Sequence, residues 1–344
     1  MTLVNKVREI EMKTYNVAIL GATGAVGREM LKVLEERNFP MGELRLLASA
    51  RSVGKKISYC GKEYEVQLAD KDAFEGMNFV LGAASNALAK ELAPHIVKAG
   101  AVFIDNSSAF RMNDDVPLVV PEINADDARK NKGIISNPNC STIITLVAVN
   151  AINKLSKIKG MVASTYQATS GAGAAGPVEL MAQMGAMVNG GDINVEVFQH
   201  QIAANLIPHI GSFGENGYTT EEMKMQNEGR KILHLPELKV TCTCVRVPVV
   251  RSHSIAVTVV TEDKLTVAAV KEAIANEKGC KLYDDGANKI YPMPLVTSDQ
   301  DLVFVGRIRE DLVHDNAITL WCCGDQVRKG AATNAVQIAE ALID

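Results

Sequence analysis

The sequence predicts an α/β protein of two domains, and three observations predict it. The chain has 344 residues, which exceeds the size that a single hydrophobic core normally supports. Its first half alternates apolar strand-like runs with amphipathic helical runs, as parallel sheets do. Its second half has strand-like runs without that alternation. We therefore expect an N-terminal Rossmann domain followed by an α+β domain with a mixed sheet.

The first strand, turn and helix indicate what the Rossmann domain binds. Residues 16–20 predict a strand, residues 21–27 a glycine-rich turn, and residues 28–37 an amphipathic helix. Glycines at such a turn let the backbone approach a pyrophosphate, which then faces the helix N-terminus. An ordinary glycine turn of another α/β protein is the alternative. The predicted dinucleotide contacts in this turn are Gly21, Thr23, Gly24, Ala25, Val26 and Gly27.

The loop after the second predicted strand, residues 44–48, indicates which dinucleotide is bound. An NAD site places an acidic residue about 20 residues past the glycine turn, where it reads the ribose hydroxyls. This chain has Arg51, Ser52 and Lys55 there instead. Because a guanidinium pairs with phosphate, the pattern favours NADP(H) over NAD, although a solvated basic loop is also compatible with it.

Further strands are predicted at residues 78–82, 101–105, 118–122 and 133–136, with a helix at 87–98. Side chains just past the ends of parallel strands line the crevice of an open sheet. Arg111, which follows the strand at 101–105, is therefore a candidate clamp for an anionic substrate. A surface ion pair is the alternative for this residue.

Cys140 is the candidate nucleophile. It follows the turn formed by Asn137 and Pro138 and precedes an apolar run, residues 141–155, that predicts a buried helix. A helix N-terminus favours a thiolate and can lower the pKa of a cysteine from about 8.5 into the range of roughly 3.5–7.5, although the sequence does not give the pKa of Cys140 itself. A thiolate attacks carbonyl carbon. The alternative is a buried structural thiol.

Two more candidates lie at strand ends in the second half. Gln167 ends a strand predicted at residues 160–166 and enters a glycine-dense loop, so it could orient a bound carbonyl or make structural hydrogen bonds. His253 lies between strands predicted at 239–249 and 254–262, where it could transfer protons or simply face solvent. The region 179–235 is looser, with a helix start at 219–224. The remaining predicted elements are a helix at 266–278, strands at 302–306 and 317–323, and a last helix at 328–343.

Composition narrows the class of partner. With 47% hydrophobic residues, 22% charged residues and a net charge of −4, the chain lacks the basic field that nucleic acid or an anionic membrane requires. No run approaches the ~18 apolar residues of a membrane span. Seven cysteines without a secretory context indicate a reducing compartment, and we expect a cytoplasmic protein. Cys242 and Cys244 share a strand face without a second ligand pair, so we expect core thiols and no metal site.

Seven segments, in order over nearly the whole chain, resemble the aspartate-β-semialdehyde dehydrogenase family. These are residues 21–27, 50–52 with Lys55, 136–142, 166–173, 221–224, 246–253 and 328–332. The resemblance implies a fold of the glyceraldehyde-3-phosphate dehydrogenase type, in which the second domain is catalytic and dimer-forming and the last helix packs on the first domain. The implied domains are 1–139 joined by 326–344, and 140–325.

The resemblance also implies residue roles. The implied catalytic residues are Cys140 as nucleophile, His253 as acid and base, and Gln167 as the group that orients the intermediate. The implied substrate contacts are Arg246 for the carboxylate, Glu221 for the amino group, Arg111 and Lys224 for phosphate, and Asn139. The cofactor contacts that it adds are Ser85, Ser170, Gly171 and Gln326. Gln326 departs from the asparagine common in the family, and residues 1–14 form a leader outside the match.

The implied reaction is the NADPH-dependent reductive dephosphorylation of L-aspartyl 4-phosphate to L-aspartate 4-semialdehyde through a cysteine thioester. It belongs to the biosynthesis of lysine and diaminopimelate, threonine, methionine and isoleucine. The implied assembly is a homodimer, with a homotetramer open.

Three rival functions remain open at this point. N-acetyl-γ-glutamyl-phosphate reductases share the thioester chemistry but usually have Gly before and Tyr after the cysteine, where this chain has Asn139 and Ser141. A non-catalytic regulator that senses a dinucleotide would have little use for Cys140, Gln167, Arg246 and His253 together. A phosphorylating aldehyde dehydrogenase of sugar metabolism would not need Arg246 for a carboxylate.

Overall fold

A computed structural model describes residues 13–343 of the chain, so most of the leader at 1–14 lies outside the described residues. The first half forms a seven-stranded sheet that is parallel except at one edge, where β3 pairs antiparallel with β4. Its spatial order is β3-β4-β2-β1-β5-β6-β7. The strands are β1 (Tyr15–Leu20), β2 (Met41–Ala48), β3 (Lys56–Tyr59), β4 (Lys62–Leu68), β5 (Phe79–Gly82), β6 (Val102–Asp105) and β7 (Ile134–Ser136). The helices of this half are α1 (Ala25–Glu36), α2 (Asn86–Lys98) and the short α3 (Pro121–Asn124).

The second half forms a six-stranded mixed sheet in the order β11-β12-β13-β10-β8-β9. The pairs β8 with β9 and β11 with β12 are parallel, and the others are antiparallel. The strands are β8 (Ile158–Gln167), β9 (Lys239–Arg246), β10 (His253–Thr261), β11 (Cys280–Leu282), β12 (Val303–Glu310) and β13 (Ala317–Gly324). The helices are α4 (Cys140–Leu155), α5 (Ala175–Asn189), α6 (Thr220–Ile232), α7 (Val267–Asn276), the short α8 (Pro294–Thr297) and α9 (Thr333–Glu340).

Two helices join the halves. Helix α4 begins directly after the first sheet and packs within the core of the second, where most of its residues are buried. Helix α9 returns to the first sheet, where Ala335, Val336 and Ile338 share a core with residues of β1 and β2. The predicted α/β architecture with a mixed second sheet is confirmed. The domain boundaries at 139/140 and 325/326 stay predictions.

Several local predictions were wrong. Residues 118–122 do not form a strand: Leu118 makes one isolated bridge to Ser136, and Pro121 begins α3, because proline suits the first turn of a helix. The last helix begins at residue 328 with a π-helical turn, Arg328–Ala332, and becomes α-helical at Thr333. The elements β3, β4 and α5 were not predicted. Strand β4 buries only Val66 along its length, so it shows almost no apolar pattern.

Candidate active site

Cys140 lies at the first position of α4, as predicted. The side chain of Asn139 caps the helix, because its Oδ1 accepts hydrogen bonds from the backbone N–H groups of Ser141 and Thr142 at 3.0 and 3.2 Å. The Cys140 Sγ lies 3.4 Å from Nε2 of His253. A thiol and an imidazole at this separation form a candidate nucleophile and acid–base pair.

His253 begins β10 and is fully buried, so it is not the solvent-facing loop histidine considered as the alternative. Its Nδ1 accepts a hydrogen bond from the backbone N–H of Ala168 at 3.1 Å. In the neutral ring the proton therefore lies on Nε2, the nitrogen that faces Cys140. Burial, and then the charge of Arg246, lower the pKa of His253 to about 3. The ring is neutral at physiological pH.

The position at a helix N-terminus does not lower the pKa of Cys140 in the free chain. Burial, and then the negative charge of Glu221, raise the pKa of Cys140 to about 11. The cations Lys224, Arg111 and Arg246 oppose this rise but do not overcome it. Desolvation and a nearby carboxylate thus outweigh the favourable end of the helix. The resting pair is a thiol beside a neutral imidazole.

Glu221 is the centre of a hydrogen-bonded cluster beside the cysteine. Its Oε1 accepts hydrogen bonds from Asn139 Nδ2 at 2.9 Å and from Gln167 Nε2 at 3.3 Å. Its Oε2 pairs with Lys224 Nζ at 2.8 Å, one helical turn further along α6. Burial alone would raise the pKa of Glu221, but Lys224 and these hydrogen bonds bring it below its ordinary value. The structure thus brings three predicted site residues, Asn139, Gln167 and Lys224, together around the ionised carboxylate of a fourth, Glu221.

Arg246 ends β9 beside Gln167, its partner in the parallel register. The side chain is buried, stacks over Phe198 and donates from Nη1 to the Ala168 carbonyl at 2.7 Å. Within residues 13–343, no carboxylate lies within ion-pair distance of its guanidinium. A buried cation normally has an anionic partner, so this arrangement fits the carboxylate of a ligand.

Gly171 leaves room for these groups. A Cβ atom at this position would lie 2.8 Å from Arg246 Nη1 and 3.0 Å from Cε1 of His253. Residue 171, predicted to contact the cofactor, thus lies directly against His253. A ligand that lies along the backbone there reaches both side chains.

Arg111 lies in a buried ion pair, and the surface pair considered as the alternative does not describe it. Its Nη1 lies 3.0 Å from Glu228 Oε1, and its Nε and Nη2 donate to the carbonyls of Asn137 and Asn106 at 3.0 and 2.7 Å. Together with Lys224 it lines a cavity of about 290 Å³. Two cations on one cavity near Cys140 suit an anionic group.

The connection from β1 to α1 has the form that a dinucleotide requires. Gly21 has a φ of +88°, and a Cβ there would lie 2.3 Å from the Ala83 carbonyl oxygen. Helix α1 begins at Ala25 without a side-chain cap and without an acidic residue in its first turn. Its first N–H groups, including those of Val26 and Gly27, have no acceptor within the helix. They are available to a phosphate.

The loop after β2 keeps its basic character. Arg51 lies in a 3-10 turn, Ala50–Ser52, with its side chain exposed, and Lys55 is exposed beside it. Ser52 is buried beneath them. The structure therefore leaves both cations free to meet a ligand at the end of β2.

The remaining predicted cofactor residues make contacts within the protein. Ser85 caps α2, since its Oγ accepts a hydrogen bond from Leu88 N–H at 3.3 Å. Gln326 donates from Nε2 to the Ser170 Oγ, and its Oε1 accepts the N–H of Ser252 at 2.8 Å. Ser252 has a φ of +73°, a strained conformation for a non-glycine residue. Gln326 thus holds the residue that precedes His253.

Comparison with known proteins identifies the family of the chain. The family model described as "Semialdehyde dehydrogenase, NAD binding domain" matches residues 16–131, and "Semialdehyde dehydrogenase, dimerisation domain" matches residues 149–329. The aspartate-semialdehyde dehydrogenase of Aquifex aeolicus is 50% identical, covering 96% of this chain and 98% of that protein. The enzyme of the same name from a Synechocystis strain is 49% identical, covering 95% and 97%.

The chain belongs to the aspartate-semialdehyde dehydrogenase family.

Solved structures of the family have the same fold. Aspartate-semialdehyde dehydrogenase II from Vibrio cholerae superposes with a TM-score of 0.93 at 45% identity, covering 96% of this chain and 99% of that one. A second structure of that enzyme is complexed with ASA and superposes equally well, at 44% identity. The chain is thus an oxidoreductase with a domain for a nicotinamide dinucleotide and a domain for oligomerisation.

Two general properties of this family member can be stated for the part that the structure describes. Within residues 13–343 there is no helix long and apolar enough to cross a membrane. The same residues contain no group of three or more histidine, cysteine or acidic side chains placed to hold a metal ion. Cys242 and Cys244 are buried on one strand face with their sulfurs 3.7 Å apart, as core thiols.

Sequence reasoning missed Glu228. This carboxylate is buried and contacts both the backbone of Asn139 and the side chain of Arg111. Its position seven residues after Glu221 places it on the same face of α6, which is the only signal in the sequence that could have found it. Its partner Arg111 lies 117 residues away in the chain.

Proposed function

We propose that this chain reduces L-aspartyl 4-phosphate to L-aspartate 4-semialdehyde with NADPH, through a thioester on Cys140. The observation that supports it most is the cysteine itself, at a helix N-terminus and 3.4 Å from His253 Nε2. Around this pair lie a carboxylate, Glu221, and a buried unpaired guanidinium, Arg246. These charges complement an amino acid bound beside the sulfur.

The substrate binds by both of its α-carbon substituents. The Arg246 guanidinium binds the α-carboxylate and donates hydrogen bonds to its oxygens, because this guanidinium is buried and has no carboxylate partner within residues 13–343. The α-ammonium pairs with Glu221, next to Asn139. That pairing also offsets the negative charge that holds the pKa of Cys140 high, so substrate binding favours the thiolate. Arg111 and Lys224 meet the phosphate at the cavity that they share.

The proposed reaction has three steps. The Cys140 thiolate attacks the acyl carbon, the carbon–oxygen bond to phosphate breaks, and phosphate leaves with the electron pair. When bound, the nicotinamide cofactor supplies a hydride to the thioester carbon. The Nε2–H group of His253 donates a hydrogen bond to the oxyanion that forms at this carbon. As the oxyanion re-forms the carbonyl, the carbon–sulfur bond breaks and releases the aldehyde and the Cys140 thiolate. Gln167 orients the reacting carbonyl.

We propose NADP(H) as the cofactor of this site. The exposed cations Arg51 and Lys55 at the end of β2 suit a 2′-phosphate, and no acidic side chain stands at residues 49–56 to read the ribose hydroxyls. The glycine turn at Gly21, the uncapped start of α1 and the small loops at Ser85 and Ser170 complete the proposed contacts. Gln326 is proposed to act there through Ser170.

We propose a homodimer, with a homotetramer as the other assembly. Along β8 and β10, side chains facing α4 are buried while alternate ones, such as Tyr166 and Ala256, are only partly covered. Val162 is exposed on the same strand, and α5 exposes Met181 and Val188. A second copy would cover such a face. A cytoplasmic location is proposed with it, supported by seven free thiols.

Phosphate-dependent reduction of NADP by L-aspartate-β-semialdehyde tests the function. We expect activity with this aldehyde and NADP, lost in Cys140→Ala while NADPH binding is kept. Activity on N-acetylglutamate semialdehyde alone would instead assign the chain to the N-acetyl-γ-glutamyl-phosphate reductases. If neither aldehyde were oxidised while NADP still bound, the result would support a non-catalytic regulator that senses the dinucleotide.

A further inference from the structure

Helix α6 presents a row of charged side chains to the nucleophile and to the first half of the chain. Glu221, Lys224, Glu228 and Lys231 follow one another at helical spacing and therefore share a face. The first two lie in the cluster beside Cys140. The other two contact the segment that contains Arg111, which comes from the opposite half.

Glu228 makes two contacts that no other side chain of this row makes. Its Oε2 accepts the backbone N–H of Asn139 at 2.7 Å, directly before the nucleophile. Its Oε1 pairs with Arg111 Nη1 at 3.0 Å. Its side chain is only 2% exposed. A buried carboxylate is retained only when such partners satisfy it, so its two oxygens fix the relative position of two site elements.

Lys231 fixes the same segment from the other end. Its Nζ donates to the backbone carbonyls of Arg111, Asn113 and Val116 at 2.9, 2.7 and 2.8 Å. The loop after Arg111 is therefore fastened to α6 by its backbone, and the guanidinium by Glu228. With Nε and Nη2 already bonded to carbonyls, one N–H on each terminal nitrogen of Arg111 is left for a ligand.

We infer that Glu228 is a positioning residue for the phosphate end of the substrate: it aims the Arg111 guanidinium into the cavity shared with Lys224 and holds that cation at a fixed place relative to Cys140. The inference rests on the proposed function, because it takes inorganic phosphate or an acyl phosphate as the ligand of Arg111. Glu228 also lines this cavity, but its two oxygens are engaged by the Asn139 N–H and by Arg111, so it acts on the ligand through Arg111.

The test uses a matched pair of buried glutamates on one helix. Glu228→Gln keeps an oxygen for the Asn139 N–H but turns an amide N–H group toward Arg111 in place of the carboxylate. Glu222→Gln is the control, since Glu222 is also a buried glutamate of α6 and its carboxylate accepts hydrogen bonds from the backbone N–H groups of Thr219 and Cys244. Glu228→Asp, which keeps the charge but shortens its reach, is measured in parallel in case the amide variant does not fold.

Two readouts separate positioning from plain stability. The first is the Michaelis constant for phosphate in the oxidation of L-aspartate-β-semialdehyde. The second is the phosphate concentration that protects Cys140 from iodoacetamide in the full chain, which needs no turnover. We expect Glu228→Gln and Arg111→Gln each to raise both quantities about tenfold, and the double variant to raise them no further, because the two residues act as one unit.

We expect Glu222→Gln to lower the melting temperature but to keep the wild-type values for phosphate. A Glu228→Gln variant that behaves in the same way would overturn the inference. The inference would also be overturned if the two single-variant increases multiplied in the double variant, because the residues would then act independently. It would be overturned as well if phosphate did not protect Cys140 of the wild-type chain from iodoacetamide. A chain that is protected by phosphate but does not oxidise the aldehyde would refute the proposed function alone, since protection still decides the role of Glu228.

Discussion

At the scale of single residues, the proton between Cys140 and His253 is placed by the backbone. The Ala168 N–H occupies Nδ1 of the histidine, so the proton of the neutral ring lies on Nε2 beside the sulfur. The ring is thereby a hydrogen-bond donor to whatever charge develops there. The charges around the cysteine then affect its reactivity: Glu221 raises the pKa of the thiol and so disfavours the thiolate, whereas the nearby cations lower that pKa.

The first prediction concerns the pH dependence of that reactivity. Because the pKa of Cys140 is about 11, the thiolate fraction of the free chain rises with pH throughout the neutral range. We expect the rate of alkylation by iodoacetamide to increase about tenfold per pH unit between about pH 7 and 9, without an inflection from His253. A plateau below about pH 9 would show a more acidic thiol.

The second prediction follows from the sign of the Glu221 effect. Glu221→Gln removes a negative charge that raises the pKa of Cys140 and releases the Lys224 ammonium, which lowers it. Alkylation at pH about 8 should therefore be faster in this variant by several-fold. Glu222→Gln, on the same helix, is the control and should alkylate at the wild-type rate. A slower Glu221→Gln variant would contradict the electrostatic account.

The third prediction concerns the choice of dinucleotide. Arg51→Ala should raise the dissociation constant for NADPH by about tenfold or more, because one charge-assisted hydrogen bond is lost. The dissociation constant for NADH should remain almost unchanged. Lys132→Ala is a suitable control, because this exposed lysine pairs with Asp115 in another part of the surface. Fluorescence titration with each reduced dinucleotide gives the two dissociation constants. Equal losses for both would refute the 2′-phosphate role.

At the scale of elements, the start of α4 fits against the π-helical turn at Arg328–Ala332. A Cβ on Gly330 would lie 2.9 Å from the Cys140 Cβ and 3.3 Å from its Cα. Neither atom can move without moving the helix start. The position of the nucleophile is therefore set by a turn from the C-terminal end of the chain.

The fourth prediction tests that contact. Gly330→Ala should lower the free energy of unfolding by about 1–3 kcal/mol, as overpacking does, and should slow the acylation of Cys140 because the sulfur is displaced from His253. The measurements are urea unfolding and single-turnover kinetics. Gly286→Ala, where an added Cβ meets no atom within 4 Å, is the control. Wild-type acylation kinetics in Gly330→Ala would show that this contact does not fix the position of Cys140.

The same scale shows what the sequence could predict. The glycine turn, the cysteine at a helix start and the strand ends at Gln167 and His253 follow from local patterns, and each of these positions is confirmed. The missed strand β4 buries one residue, Val66, and has no pattern to detect. The pKa of Cys140 could not be predicted, because burial raises it first and the carboxylate that adds to the rise, Glu221, comes from another helix. Pairings between distant segments leave no local signal.

At the scale of the whole molecule, ion pairs fasten the C-terminal segment to the dinucleotide-binding helix. Arg328 is buried and contacts Asp301, Glu29 and Glu36 at 2.8, 2.9 and 2.5 Å, the last two on α1. Arg251, two residues before His253, reaches Glu29 at 3.2 Å. The network therefore connects α1 to the segment that leads into β10, which begins at His253.

The fifth prediction concerns this network. Arg328→Met should lower the free energy of unfolding by about 2–3 kcal/mol, less than the 3–5 kcal/mol of a fully buried pair because Asp301 and Glu36 are partly exposed. The urea midpoint measures it. Lys56→Met, which removes one cation of an exposed pair with Glu63, is the control and should change little. Equal effects of the two substitutions would contradict the role of the network.

The central claim is that Cys140 becomes covalently acylated, and a burst experiment tests it most directly. The chain is mixed with L-aspartate-β-semialdehyde and NADP without phosphate, so that the thioester forms but has no acceptor. We predict a rapid formation of about one NADPH per active site and an acyl adduct that mass spectrometry maps to Cys140, both absent in Cys140→Ala. A burst that persists in Cys140→Ala, or an adduct on another residue, would contradict the account.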